Sequence, residues 1–127
     1  LNDHQKTLIT ETTIDFDLSN IDLGKDIDEI GFIEGEEYIT SNLFSITFKT
    51  IISDFIIFVI DNNHSLISNS LLVNPVSNEK FDIQLELNQN AKNGEAYLVG
   101  FNNKDHFVFI KKVRIDRTFI ADDLFDF

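Results

Sequence analysis

Phe81-Asp82-Ile83-Gln84-Leu85-Glu86-Leu87-Asn88 sets Phe81, Ile83, Leu85 and Leu87 on one side of an extended chain and Asp82, Gln84, Glu86 and Asn88 on the other. Successive side chains of a strand point to opposite faces, so a strict period of two marks a strand with one face buried and the other wet. The period returns in Ile14, Phe16 and Leu18 against Asp15 and Asp17, and in Phe44, Ile46 and Phe48 against Ser45, Thr47 and Lys49. No segment shows an equally clean helical stripe. The chain is therefore expected to be all-β.

Turn signals between such runs predict eight or nine strands, at about 8–18, 30–33, 37–41, 43–50, 54–61, 65–73, 80–88, 95–101 and 106–116. Strands at this short spacing imply an antiparallel two-sheet β-sandwich and not strands alternating with helices. Phe55-Ile56-Ile57-Phe58-Val59-Ile60 is apolar on both faces. It is expected to be a central strand covered on each side, or a strand at the centre of the sandwich whose outer face is overlaid by a loop or a partner. Asp61-Asn62-Asn63-His64-Ser65 predicts a hairpin turn into Leu66, Asn93-Gly94 a turn ahead of Glu95, and Asn102-Asn103-Lys104-Asp105 a third. Ile21 to Glu29 is acidic and lacks the strand period, which suits a long crossover or a short helical turn. The inward members of the alternating runs give the core expected between the sheets: Phe16, Phe44, Ile46, Phe48, Phe58, Ile83, Leu85, Val99, Phe101 and Ile115. Residues 1–118 are read as one domain and 119–127, with Phe119, Leu124, Phe125 and Phe127 among Asp122, Asp123 and Asp126, as an acidic, apolar tail for binding a partner.

Composition narrows the function classes. In 127 residues, 13 Phe and no Trp or Met supply aromatic bulk suited to a pleated surface, while five Gly and one Pro leave most turns to Asn, Asp and Ser. With no Cys there is neither a disulfide framework nor a thiolate metal site. A net charge of −12 repels nucleic-acid phosphates and anionic lipid at long range, so no nucleic-acid partner is expected. The longest apolar run, Phe55 to Ile60, is too short to span a bilayer, and a soluble domain without membrane insertion is expected. A start at Leu1 is compatible with cutting from a longer precursor, and the compartment stays open.

Residues able to do chemistry are scattered. His4, His64 and His106 accompany no recognisable nucleophile, and His64 and His106 fall at hairpin turns where a solvated imidazole is expected. Asp22, Asp26 and Asp28 are oxygen ligands of the kind calcium takes, but the spacing does not match an EF-hand and a solvated loop is the simpler reading. Lys111, Lys112, Arg114 and Arg117 follow Phe107 and Phe109, a mixture that single-strand nucleic-acid grooves use and that also protects an edge strand. No catalytic residue, metal or cofactor is assigned.

From Gly31 to Ile115 the order of features resembles a carbohydrate-binding-module-type jelly roll: GEEY at 35–38, FSITF, FIIFVID leading into a turn, FDIQLEL, AYLVGFNN and FVFIKKVRI. The pattern is also similar to small all-β accessory proteins of bacterial glycoprotein export. The tail resembles the acidic, Phe-terminated tips by which bacterial single-strand DNA-binding proteins recruit partners, through Asp122, Asp123, Asp126 and Phe127. The first resemblance implies a glycan ligand stacked on exposed aromatic rings, which in a chain without Trp selects Tyr38 and Tyr97. The expected function is a non-catalytic module that binds a glycan or a protein; the alternative is a purely protein-interaction domain, whose acidic surface or tail docks on a basic, apolar groove and which can form a homo-oligomer.

Overall fold

The computed structural model describes residues 6–15, 17–35, 37–49, 54–76, 79–103 and 106–117. Ten strands are found there: β1 (Leu8–Thr12), β2 (Ile27–Asp28), β3 (Phe32–Glu34), β4 (Tyr38–Ile39), β5 (Leu43–Lys49), β6 (Phe55–Asp61), β7 (Ser70–Asn74), β8 (Lys80–Glu86), β9 (Gly94–Asn103) and β10 (His106–Ile115). The larger sheet runs β1-β7-β6-β9-β10-β2, with β4 also beside β10; the smaller runs β3-β5-β8. Every pairing is antiparallel except β4 with β10.

The expected all-β architecture is present, in a form compatible with a β-sandwich. One core joins the inner faces of the two sheets. Ile46, Phe48, Ile83 and Leu85 of the smaller sheet meet Phe55, Ile57, Val59, Leu71, Val73, Leu98 and Phe109 of the larger. At its centre the Phe48 ring lies edge-on to Phe55 at 5.9 Å and to Phe109 at 5.4 Å. Edge-to-face contact matches the positive rim of one ring to the negative face of the next. Gly100 makes room for this cluster, since a Cβ there would lie 3.3 Å from that of Phe109.

β6 is central, and its other face is also covered. After β1 the chain crosses the outer face of the larger sheet to reach β2 at the opposite edge, making a single 3-10 turn, Leu18–Asn20, on the way. Leu18 and Ile21, with Ile14, Leu23 and Ile27 beside them, pack on Phe58, Ile60, Val99, Phe101 and Ile110. Residues 13–15 and 17–26 thus form a belt.

The belt corrects two expectations. Phe58, Val99 and Phe101 are buried, but under the belt and not between the sheets; on strands apolar on both faces, alternation cannot tell which face is inward. The strand expected over 8–18 ends at Thr12, and the alternation of Ile14, Asp15 and Leu18 belongs to chain lying against the sheet without pairing in it. A period of two records alternate burial, whether or not ladder hydrogen bonds are made. Phe16 lies outside the described residues.

Between β6 and β7 the chain divides its pairing between the sheets. Ile60 bridges to Leu66, while Ser68 bridges to Leu87, beyond β8. The buried Ser68 hydroxyl accepts the Val59 N–H at 2.8 Å, satisfying an amide that this departure would leave bare. Gly31, at φ 75°, lets the chain leave β2 for the smaller sheet.

We expect Phe48→Ala to lower the unfolding free energy by about 3–5 kcal/mol, because it empties the middle of the inter-sheet core. Urea denaturation checks this, and a loss below about 1 kcal/mol would contradict the packing described.

Candidate functional site

Just beyond the belt, the outer face of the larger sheet presents polar groups around an exposed ring. Ile39 and Ile115 point into the inter-sheet core, so their neighbours Tyr38 and Arg114 point outward. Tyr38 lies opposite Arg114, and Arg114 opposite Glu95, forming one row across β4, β10 and β9. The next row pairs Lys112 with Tyr97. Glu37, Tyr38, Glu95, Lys112, Val113 and Arg114 line a shallow depression of about 310 Å³.

Tyr38 is 56% exposed, whereas Tyr97 is half-buried at the margin of the outer cluster. Both sequence-selected tyrosines therefore occur on the same face, about 12 Å apart by standard strand spacing and rise. They do not form a single platform.

The charges in the depression are organised unequally. Lys112 Nζ lies 2.6 Å from Glu95 Oε2. This contact holds the Glu95 carboxyl below its usual range through hydrogen bonding and charge, and raises the Lys112 ammonium in return. The Arg114 amide donates to the Glu37 carbonyl, while its guanidinium makes no hydrogen bond or ion pair with a described residue and only adds its charge to that of Lys112 in lowering the Glu95 carboxyl. Arg114 lines the depression together with Tyr38. Sequence reading missed this role for Arg114, although its alternation with Val113 and Ile115 placed it on the wet side of β10.

The other singled-out residues go elsewhere. His64, expected to be solvated, brings Nε2 within 2.9 Å of the Ile21 carbonyl oxygen; a carbonyl only accepts, so this nitrogen carries the proton. His64 stands at φ 64° in the turn that Asp61 closes by accepting from the Asn63 and Ser65 amides. His106 Nε2 lies 3.0 Å from Glu29 Oε1, linking β10 to the chain leaving β2. Both imidazoles thus fasten the chain that contains and follows the belt.

Asp22 and Asp28 each accept from the amide two residues onward, at Gly24 and Ile30, and no metal-binding group of three or more His, Asp or Glu forms among the described residues. The basic cluster does not gather on one surface. Lys112 and Arg114 face outward on either side of the buried Val113, while the Arg117 guanidinium donates to Asn42 Oδ1. Phe119, Leu124, Phe125 and Phe127 lie outside the described residues. No helix among the described residues is long and apolar enough to cross a membrane.

No protein-family model matches the chain, and no curated protein matches it. The site must be read from its own geometry.

A depressed carboxyl adds stability that is present above its unfolded value and lost as pH falls through the lower folded one. We expect the Glu95 carboxyl, followed by nuclear magnetic resonance, to titrate at higher pH in Lys112→Gln than in the parent chain. Equal midpoints would mean that the ion pair does not persist in solution.

Proposed function

We propose that the chain is a non-catalytic binding module, a jelly-roll-like β-sandwich that engages a glycan through the face around Tyr38. The observation that carries this reading is the exposed Tyr38, opposite Arg114 in the strand register and lining one depression with it. A pyranose has an apolar face that suits a flat ring, and its hydroxyls suit the donors of Arg114 and Lys112 and the acceptors of Glu37 and Glu95. Strands β4, β9 and β10 fix the backbones of Tyr38, Glu95, Lys112 and Arg114, so it is their side chains that a ligand orders. The non-catalytic part of the proposal is supported by the engagement of His64 and His106 in holding the fold together.

A second reading, a protein-interaction domain without sugar affinity, is favoured by Leu8 and Ile9, which are 60% and 41% exposed on β1. A glycan array followed by calorimetry separates the two. Under the first reading a glycan is bound, and Tyr38→Ala weakens it by roughly 1 kcal/mol or more, about fivefold, at unchanged fold. Absence of binding across the array, or equal affinity for Tyr38→Ala, would reject the Tyr38 face and favour the protein partner.

A further inference from the structure

We propose that β1 is a self-association edge, through which two copies of this chain join their larger sheets into one continuous sheet.

β1 ends the order of the larger sheet, and among the described residues its outer edge pairs with nothing. Its side chains lack cover as well: Leu8, Ile9, Thr10 and Glu11 are all exposed. Ile9 lies opposite Val73, which is fully buried in the inter-sheet core, yet Ile9 itself is 41% exposed. Among the described elements β1 packs chiefly on β7. Unpaired strand edges bearing apolar side chains recruit another strand unless charge prevents it.

Charge favours a second copy at this edge. Two chains of −12 repel, but Lys6 to Thr12 contains one Lys and one Glu and is locally neutral. The opposite edge is not: β2 carries Asp28 between Asp26 and Glu29, and β4 follows Glu36 and Glu37.

Symmetry then selects a register. A two-fold axis perpendicular to the sheet keeps the inner faces of both copies on one side. Residues opposite each other in an antiparallel pair share a face, so partners must lie an even number of positions apart in sequence. Centring the axis on Ile9 pairs all of Lys6–Thr12. Ile9 then meets its counterpart, Leu8 meets Thr10, Thr7 meets Glu11 and Lys6 meets Thr12, with no like charges opposed.

The test is sedimentation of the full chain. The parent should have twice the 14.6 kDa of one copy, and Ile9→Lys, which places two ammonium groups together at the axis, should halve that mass at unchanged circular dichroism. Because the chain has no Cys, an introduced thiol reports its own contact. Oxidised Ile9→Cys should give a covalent dimer, whereas Leu43→Cys, 53% exposed on the smaller sheet, should not. A monomeric parent, a dimer that survives Ile9→Lys, or equal cross-linking at both positions would overturn the proposal. So would a parent that stays monomeric until a strand from another protein is added.

Discussion

A strand that is apolar on both faces must be covered twice, and the rest of this structure follows from meeting that demand for β6. The smaller sheet covers one face, with Phe48 packed against Phe55 and Phe109. The belt covers the other, burying Phe58 and Ile60 together with Val99, Phe101 and Ile110 of the neighbouring strands. Burying an aliphatic or aromatic side chain of this size contributes about 1.5–3 kcal/mol. Five of them rival the entire net stability of an ordinary domain, about 5–15 kcal/mol. Without its belt the sheet would have a second interior exposed to water.

The same demand positions the candidate site. To cross the sheet, the chain must start at one edge and finish at the other, which makes β1 and β2 the outermost strands. From β2 it turns at Gly31 into the smaller sheet as β3 and returns as β4, placed parallel to β10 beyond the part paired with β2. That return brings Tyr38 beside Arg114. His64 and His106 fasten the path from opposite ends of the sheet, through the Ile21 carbonyl and the Glu29 carboxylate.

Much of this was legible locally. The alternation of Phe81 to Leu87 and of Phe44 to Phe48 places Ile46, Phe48, Ile83 and Leu85 in the core, and the double-faced run at Phe55 implies a cover. The turn expected over 102–105 makes neighbours of β9 and β10, but not the register that sets Glu95 opposite Arg114 and Tyr97 opposite Lys112, which depends on irregularities near Phe107. What was not legible depends on distant pairings. The two-residue strand β2 carries no period, because its existence is decided by the edge of β10 and not by its own residues, whereas β4 falls inside the strand expected at 37–41. Nor could alternation assign Phe58 or Val99 to the belt side, since both faces of β6 and β9 bear apolar residues. The Tyr38 and Arg114 pair, from strands that meet only through an excursion into the other sheet, required the fold itself.

The belt is tested most directly by the nuclear Overhauser effects of its methyl groups. If it covers the larger sheet, the methyls of Leu18 and Ile21 will show cross-peaks to side chains of Phe58, Ile60, Val99, Phe101 and Ile110, with ring-shifted resonances. Methyls at random-coil positions without those cross-peaks would contradict the account, leaving the outer face of β6 to be covered by something other than the belt.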